Sequence, residues 1–390
     1  MGFRVHLAFM QYGKLFFKHR RIFQQYFGAK ESLTFNRTIA EEARLLVKNL
    51  NDTTGNHRHF IHRYTVSNIM RAAFGHQIKS DHDVFLEIGN GVSDVFQKCG
   101  PAGNTPIDFF PCTPPTFLVS WNALCDGRSF AASNGATIRT QNYEKCFASE
   151  QLQELDDNPD TEDLEDIKDI GATIFAAGAD TTYVALLWFY LAMVLHPECQ
   201  KRAYEEIVAV VGESALPDLN DRESLPYVEC IVQEALRWNV LAPLAVPHRA
   251  IDDDVYNGMF IPKGAVVVAN LRGMSIDEDV YSNPEAFDPS RFLPKPEGKG
   301  EPHFTAVWGF GRRMCPGRHF ADLAIWHAIA CTLATLEVVP KTDEMGNPKL
   351  PEVAFTEGFA FEPLPFEFDV RPRSAAAMKL IEQIEPCGDL

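Results

Sequence analysis

The sequence lacks the cysteine pairs that a disulfide framework or a zinc site requires. Nine cysteines are spread over 390 residues, and no two of them show Cys-x-x-Cys or zinc-type spacing. Reduced thiols on the cytosolic side of a cell fit this pattern best. Positive charge is also scarce, because 36 Lys and Arg residues stand against 53 Asp and Glu residues, for a net charge of −17. This excess of acid repels phosphate backbones and argues against nucleic acid as a partner.

The chain has no uninterrupted hydrophobic run that is long enough for a clear membrane span. The longest apolar window, Gly171 to Leu195, is interrupted by Asp180 and the two threonines that follow it, so only Tyr183 to Leu195 is free of charge. We expect this window to be a core helix whose acid faces a cavity. Residues 1–10 contain no long apolar stretch, so no signal peptide is expected. An internal repeat is also missing, which argues against repeat arrays.

Helical periodicity predicts a mainly α-helical fold with a small β portion, in a single domain. Four segments are expected within it: N-terminal helices (1–100), an irregular region (101–169), a well-ordered core (170–370) and a polar tail (371–390). The irregular region contains several prolines and leads into an acidic stretch from Glu150 to Asp169. We interpret this stretch as a solvated surface, since charge runs between helices usually face water.

The second half of the chain shows the clearest elements. Long helices are predicted at about 161–196 and 222–238, and a final helix is predicted from near Gly317. Segments with β propensity lie around 255–270, and Val353 to Val370 alternates in the manner of a β-hairpin. The predicted architecture is therefore helical, with short strands between and after the long helices.

Cys315 lies in an unusual local sequence. The stretch Trp308 to Ala321 (WGFGRRMCPGRHFA) places glycines and a proline around this cysteine, directly before a predicted helix. Glycines permit tight turns and the close approach of a flat partner, and a helix start directs N–H groups and a positive dipole at the sulfur. These effects are expected to lower the pKa of the thiol. The local sequence leaves three roles open: a nucleophile, a metal ligand, or an inert buried cysteine.

The same stretch resembles the cysteine-ligand loop of the cytochrome P450 family, Phe-x-x-Gly-x-Arg-x-Cys-x-Gly. Gly311, Arg313, Cys315 and Gly317 fall on this pattern, and Trp308 stands where the family usually has phenylalanine. The resemblance implies haem (iron protoporphyrin IX) as the cofactor, with the Cys315 thiolate as axial iron ligand. It also implies that the other four residues shape the loop that binds the cofactor.

A second segment, Ala177 to Thr182 (AGADTT), resembles the oxygen-binding helix motif of the family. An acid beside a hydroxyl in an apolar helix can bend the hydrogen-bond ladder and leave a groove for O2 and a route for protons. Gly178 is unfavourable in a helix by about 1 kcal/mol relative to alanine, which indicates a packing or functional reason for it. We therefore predict Asp180 and Thr181 as catalytic residues.

The third resemblance concerns a buried charge network. Glu234 and Arg237 share one helix face, and Phe287 to Phe292 (FDPSRF) resembles the family's segment whose arginine completes a Glu-Arg-Arg triad. This assigns Glu234, Arg237 and Arg291 to a structural network, in which loss of one partner would leave a buried charge unpaired.

The resemblance also implies which cations hold the haem propionates. Arg249 is the main candidate and His248 a weaker one, joined by Arg313, because a guanidinium matches a carboxylate. Tyr12 to Arg21 resembles the family's helix that carries Trp-x-x-x-Arg, which places Arg20 on the arginine. Phe16 replaces the tryptophan, so one hydrogen bond to a propionate is expected to be lost.

The activity implied by the resemblance is that of a haem-thiolate monooxygenase, in which one oxygen atom of O2 enters a small, mostly apolar organic substrate. Electrons would come from NADPH through a flavoprotein, the cytochrome P450 reductase, for which the basic cluster Arg312, Arg318 and His319 is a docking surface. The resemblance further implies a monomer with a role in secondary metabolism at the cytosolic face of the endoplasmic reticulum membrane. Without the family's anchor, a cytoplasmic location is the alternative.

Three other functions remain open at this stage. A haem-thiolate isomerase or dehydratase would need no reductase. A haem-binding remnant would follow from a truncated gene product, because the family's N-terminal anchor and first strands would precede residue 1 and the substrate roof at 101–169 looks shortened. A cysteine hydrolase would use Cys315 with His248 or His319, but it explains none of the other motifs.

Overall fold

Helices form most of the structure, a computed structural model that describes residues 6–52, 56–98, 146–155, 161–357 and 360–385, with the side chains of 92–98 and 161–162 left out. The helices in these ranges are α1 Lys14–Phe27, α2 Asn36–Asp52, α3 His57–Phe74, α4 Val84–Lys98, α5 Phe147–Glu154, α6 Thr161–Leu195, α7 Pro197–Val210, α8 Pro226–Trp238, α9 Leu271–Ser275, α10 Arg318–Thr335 and α11 Ala375–Glu382. The predicted long helices correspond to α6 and α8, and the predicted final helix to α10. A proline in the first turn starts both α7 and α8, where the missing N–H is not needed.

The strands are short and antiparallel. They are β1 His248–Arg249, β2 Asp254–Tyr256, β3 Met259–Ile261, β4 Val266–Val267, β5 Leu336–Thr342, β6 Pro348–Lys349 and β7 Phe368–Pro372. Among the described residues, β1 pairs with β4, β2 with β3, and β5 lies between β6 and β7. The small β portion is therefore confirmed.

The core is built around α6. Trp188 on α6 and Trp326 on α10 are fully buried in one hydrophobic cluster, and α6 also packs against α3. Within the described ranges, Asp163–Leu195 is the one helix that is long and apolar enough to cross a membrane, but 78% of its apolar window is buried inside the protein. This burial agrees with the predicted core helix.

Two predictions for the C-terminal part of the chain differ from the structure. Val353–Val370 forms no regular hairpin: Phe355 and Pro363 make an isolated bridge, and β7 pairs with β5. An alternating pattern indicates a strand but does not name its partner. Residues 371–390, predicted as a polar tail, include the end of β7 and α11, in which Ile381 is buried.

The acidic stretch before the core also differs from its interpretation as a solvated surface. Residues 99–145 and 156–160, which hold most of the predicted irregular region, lie outside the described residues. In the described part, Asp163 and Asp166 form ion pairs with Lys18 on α1. The start of α6 is thus a contact between two helices.

Candidate functional site

The loop before α10 makes two tight turns that end at Cys315. Short 3-10 turns at Thr305–Trp308 and Gly311–Arg313 precede the cysteine, whose N–H donates to the Trp308 carbonyl oxygen at 2.7 Å. Gly309 and Gly311 have φ values of +78° and +56°, in the left-handed region where glycine is favoured. The glycines therefore fix the path of the loop, and the half-buried Trp308 packs it onto the core.

The environment of the Cys315 sulfur differs from the prediction of an acidified thiol. Burial raises the pKa of this thiol, while the N–H groups of Gly317 and Arg318 and the charges of Arg20 and Arg318 lower it; burial dominates. The start of α10 acts in the predicted direction but is outweighed. A lowered pKa from the helix start alone was therefore a wrong prediction. A metal ion bound to the sulfur would remove the proton outright.

Three guanidinium groups are grouped near Cys315: two act on its sulfur, and the third acts on one of those two. Arg20 acts electrostatically on the sulfur, and Arg313 and Arg318 both act on Arg20. Arg313 donates to the Met10 carbonyl oxygen at 2.8 Å and Arg318 to the Cys315 carbonyl oxygen at 3.2 Å. In the part of the chain that the structure describes, no carboxylate pairs with any of the three. Such a group of cations suits a ligand that brings its own carboxylates, and the donor set fits a haem with its two propionates.

Phe16, the residue that replaces a tryptophan, lies under one of these arginines. The Arg313 guanidinium carbon is 4.4 Å from the centroid of the buried Phe16 ring. The next arginine, Arg312, donates to the Tyr12 hydroxyl at 2.7 Å. The start of α1 therefore supports the cysteine loop through aromatic rings, a contact that sequence reasoning missed.

The other predicted cations lie on β1. His248 and Arg249 are exposed and pair with Val267 and Val266 of β4. Arg249 extends along the turn before β4, since a Cβ atom on Gly264 would lie 3.4 Å from its Nη2 atom. Within the described ranges, neither side chain has a hydrogen bond or ion pair to the cysteine loop.

The motif on α6 combines a buried acid with an exposed alanine one turn before Thr181. Asp180 is 3% exposed, and the Thr181 hydroxyl donates to the Ala177 carbonyl oxygen at 2.8 Å. Ala177 itself is exposed, although the residues before it are buried. A Cβ atom on Gly178 would lie 2.3 Å from Ile69 Cδ1, so any larger residue here would have to displace the Ile69 side chain of α3. Ala177 is thus exposed and Thr181 partly exposed, one turn apart on an otherwise buried stretch of α6.

A buried ion pair next to this motif was not predicted. Arg58 on α3 pairs with Glu362, whose side chain is 3% exposed, and its guanidinium carbon lies 5.9 Å from the centroid of the Tyr183 ring. Burial raises the pKa of Tyr183; Arg58 opposes this and the charge of Asp180 adds to it. The pair joins segments about 300 positions apart in sequence, and no local pattern could have indicated it.

Glu234, Arg237 and Arg291 are in contact, and all three side chains are fully buried. Glu234 Oε2 accepts from Arg237 Nε at 2.7 Å, and Oε1 accepts from Arg291 Nε at 3.0 Å. Glu301, which the sequence did not indicate, lies 2.7 Å from Arg291 Nη1. Carbonyl oxygens of Ser275 and Ala286 accept from the remaining N–H groups. Both arginines therefore have hydrogen-bond partners besides Glu234, as buried ionic groups require.

Known proteins resemble this chain in sequence and in fold. The family model described as Cytochrome P450 matches residues 2–370. Cytochrome P450 monooxygenase 136 of Postia placenta is 34% identical over 99% of this chain and 76% of its own length. Cytochrome P450 monooxygenase claT of Ampulloclitocybe clavipes is 33% identical over 96% of this chain and 78% of its own length.

A solved structure agrees at the level of the fold. The structure of a zebra fish cytochrome P450 with progesterone superposes with a TM-score of 0.76 at 22% identity, covering 94% of this chain and 84% of that one. The sequence match spans both the cysteine loop and the α6 motif. The chain belongs to the cytochrome P450 family of oxidoreductases.

Proposed function

We propose that this protein is a haem-thiolate monooxygenase that inserts one oxygen atom of O2 into a small, mostly apolar organic substrate. The observation that carries the proposal is the position of Arg20, Arg313 and Arg318 around Cys315, with no described carboxylate to neutralise them. A haem answers both requirements of this site, since it brings an iron for the sulfur and two carboxylates for the guanidinium groups.

In this proposal the proximal residues hold and tune the cofactor. Bound haem supplies the activation of O2, chemistry that no amino-acid side chain provides. Cys315 would bind the haem iron through its sulfur, and the N–H groups of Gly317 and Arg318, which donate towards that sulfur, would moderate its charge. Arg20 and Arg313 hold one or both propionates, with Arg249 and His248 as further candidates from β1.

On α6, Asp180 and Thr181 are the residues that deliver protons in this proposal. The Thr181 hydroxyl donates its hydrogen to the Ala177 carbonyl oxygen. The lone pairs of the Thr181 oxygen can therefore accept a hydrogen bond from a group outside the helix. Asp180, the residue before Thr181, is a buried acid that is close enough for its charge to act on Tyr183. A buried acid beside a hydroxyl can deliver a proton from the protein to the cavity.

The proximal surface is our candidate for electron entry. Arg312 is exposed, and the partly exposed Arg318 and His319 are the first two residues of α10. In a chain of net charge −17, such a cluster attracts an acidic partner such as a flavoprotein reductase supplied by NADPH. Charge reversal of Arg312 and Arg318 should slow reduction and weaken its dependence on salt; an unchanged rate and salt dependence would exclude this surface.

Location and pathway follow only from the family. We propose the cytosolic face of the endoplasmic reticulum membrane and a role in secondary metabolism, as the resemblance to the family implies. Fractionation of cells that express the tagged protein tests the location. Recovery of the protein entirely in the cytosolic fraction would contradict it.

A cysteine hydrolase is not supported by the geometry. A cysteine nucleophile needs a histidine within hydrogen-bond reach. Within the described ranges, neither His248 nor His319 forms a hydrogen bond with the Cys315 sulfur. The sulfur is surrounded instead by N–H groups and guanidinium groups.

The test of the proposed reaction uses purified haem-loaded protein, a cytochrome P450 reductase, NADPH and a panel of small apolar compounds. Products that gain one oxygen atom, labelled when 18O2 is supplied, would support it. Asp180→Asn and Thr181→Ala should lower product per NADPH by about tenfold or more, with peroxide formed instead, because proton delivery fails. Turnover that needs neither NADPH nor O2 would overturn the proposal in favour of an isomerase or dehydratase.

A further inference from the structure

Helix α1 and the start of α6 carry opposite charge. The α1 sequence KLFFKHRRIFQQYF contains five basic side chains and no acidic one. The first nine residues of α6, TEDLEDIKD, contain five acids and one lysine. Such complementary faces attract each other where the two helices meet.

Four residues form the contact, which we call the α1–α6 clamp: Lys18 and His19 on α1, and Asp163 and Asp166 on α6. His19 Nε2 lies 2.9 Å from Asp166 Oδ1, and Lys18 Nζ lies 2.8 Å from Asp163 Oδ1 and also pairs with Asp166. The His19 side chain is fully buried and that of Asp166 is 13% exposed. Burial raises the pKa of Asp166, but hydrogen bonds from His19 and Lys18 hold it below its usual value.

The clamp is next to a residue of the candidate site. Arg20 follows His19 in α1, and consecutive helical side chains point about 100° apart. His19 therefore faces α6 while Arg20 lies beside Cys315. Helix α1 lies between the helix that carries Asp180 and the loop that carries Cys315, and the clamp fixes it against the former.

We propose that His19 and Lys18 are positioning residues, which hold α1 against Asp163 and Asp166 so that Arg20 is presented to a haem carboxylate. This proposal rests on the proposed function, because it concerns how the same site retains its cofactor. Arg20 has no described protein partner to orient it, so its position depends on the helix that carries it.

The test compares the rate at which haem leaves the loaded protein for an excess of apomyoglobin. His19→Leu should raise this rate by about tenfold, since outer-shell partners of a metal site commonly contribute that much. His19→Gln keeps an N–H donor near the Nε2 position and should stay close to the wild-type rate. Asp81→Asn is the matched control, because it breaks a His59–Asp81 contact of 3.1 Å on α3, away from the site.

A double-mutant cycle separates positioning from simple destabilisation. If His19 acts through Arg20, His19→Leu should have almost no further effect on haem loss in an Arg20→Ala background. Additive effects of the two substitutions, or a His19→Leu rate equal to that of Asp81→Asn, would overturn the proposal. If His19→Leu does not fold, Lys18→Met takes its place in the cycle, since Lys18 is 37% exposed.

The two proposals fail in different ways. Wild-type protein that takes up no haem through Cys315 would refute the proposed function. Wild-type protein that holds haem, together with additive variants, would refute only the clamp.

Discussion

The Arg313 guanidinium stacks on the ring of Phe16, with its carbon 4.4 Å from the ring centroid. Phe16 is 2% exposed, and Arg313 also donates to the Met10 carbonyl oxygen. A cation over an aromatic face is attracted by about 0.5–1 kcal/mol at an exposed site and by more where it is desolvated, and Arg313 is half-buried. The replacement of a tryptophan by Phe16 therefore preserves the ring that supports the arginine, even though it removes an N–H donor.

Substitution of Phe16 should consequently affect haem retention according to ring chemistry. Phe16→Leu should raise the rate of haem loss by roughly three- to tenfold, because the cation–π contact disappears. Phe16→Trp should retain haem at least as well as the wild type, because indole stacks on cations and adds a donor. Apomyoglobin transfer measures both rates. Equal rates for wild type and Phe16→Leu would show that the stacking has no role.

The buried network should dominate the stability of the core. Glu234→Gln removes the carboxylate that pairs with the fully buried Arg237 and leaves Arg291 with Glu301 alone, and we expect the free energy of unfolding to fall by about 3–5 kcal/mol. Urea titration measures this quantity. The control is Glu205→Gln, which removes an exposed partner of Lys201 and should change stability by less than about 0.5 kcal/mol. A loss of the same size in both variants would contradict the account.

Gly178 offers a test of packing against helix propensity. An alanine there would place its Cβ 2.3 Å from Ile69 Cδ1, so Gly178→Ala should destabilise the protein by about 1–3 kcal/mol. Gly91→Ala on α4 meets no atom within 4 Å and should stabilise by about 0.5–1 kcal/mol through propensity alone. Urea titration distinguishes the two. Stabilisation by both substitutions would mean that α3 does not pack so closely on α6.

The raised pKa of Asp169 should make the stability of the protein fall as the pH rises. Burial raises its pKa from 3.8 to about 6, with Glu165 and Asp166 adding to the shift and His19 and Lys168 opposing it. The folded state thus binds the proton more tightly, and stability from this group falls as the pH rises from about 4 to 6.

Asp169→Asn should therefore stabilise the protein at pH 7.5 by about 1–2 kcal/mol after allowance for solvent screening. Below pH 4 the difference between the two proteins should vanish, because the carboxyl is then protonated in both folded and unfolded states. Urea titrations of both proteins across this range provide the measurement. A stabilisation that did not change with pH would contradict the assignment to Asp169.

Features that depend on residues close together in the chain can be predicted from the sequence alone. The Cys315 loop depends on glycines within a few positions of the sulfur, and Glu234 and Arg237 are three residues apart on one helix. These features follow from turn chemistry and helical spacing. The core helix α6 was predictable for the same reason, since its apolar residues are continuous in sequence.

Contacts between distant segments could not be predicted in this way. His19 and Asp166 are 147 residues apart, and nothing local distinguishes Asp166 from a solvated acid. The predicted lowering of the Cys315 pKa was wrong for a related reason. The burial of the sulfur raises this pKa, and burial depends on how elements distant in sequence pack around the loop. The structural role of a charged stretch or a single polar residue depends on which residue the fold places in contact with it.

The most direct test of the account is the carbon-monoxide difference spectrum of the dithionite-reduced, haem-supplemented protein, compared with that of Cys315→Ala. If Cys315 is the iron ligand, we expect a strongly red-shifted Soret band in the wild type, which reports a thiolate ligand. This band should be absent in Cys315→Ala. A band that persists in Cys315→Ala, or folded wild-type protein that shows no such band with haem present, would contradict the assignment of Cys315 as the iron ligand.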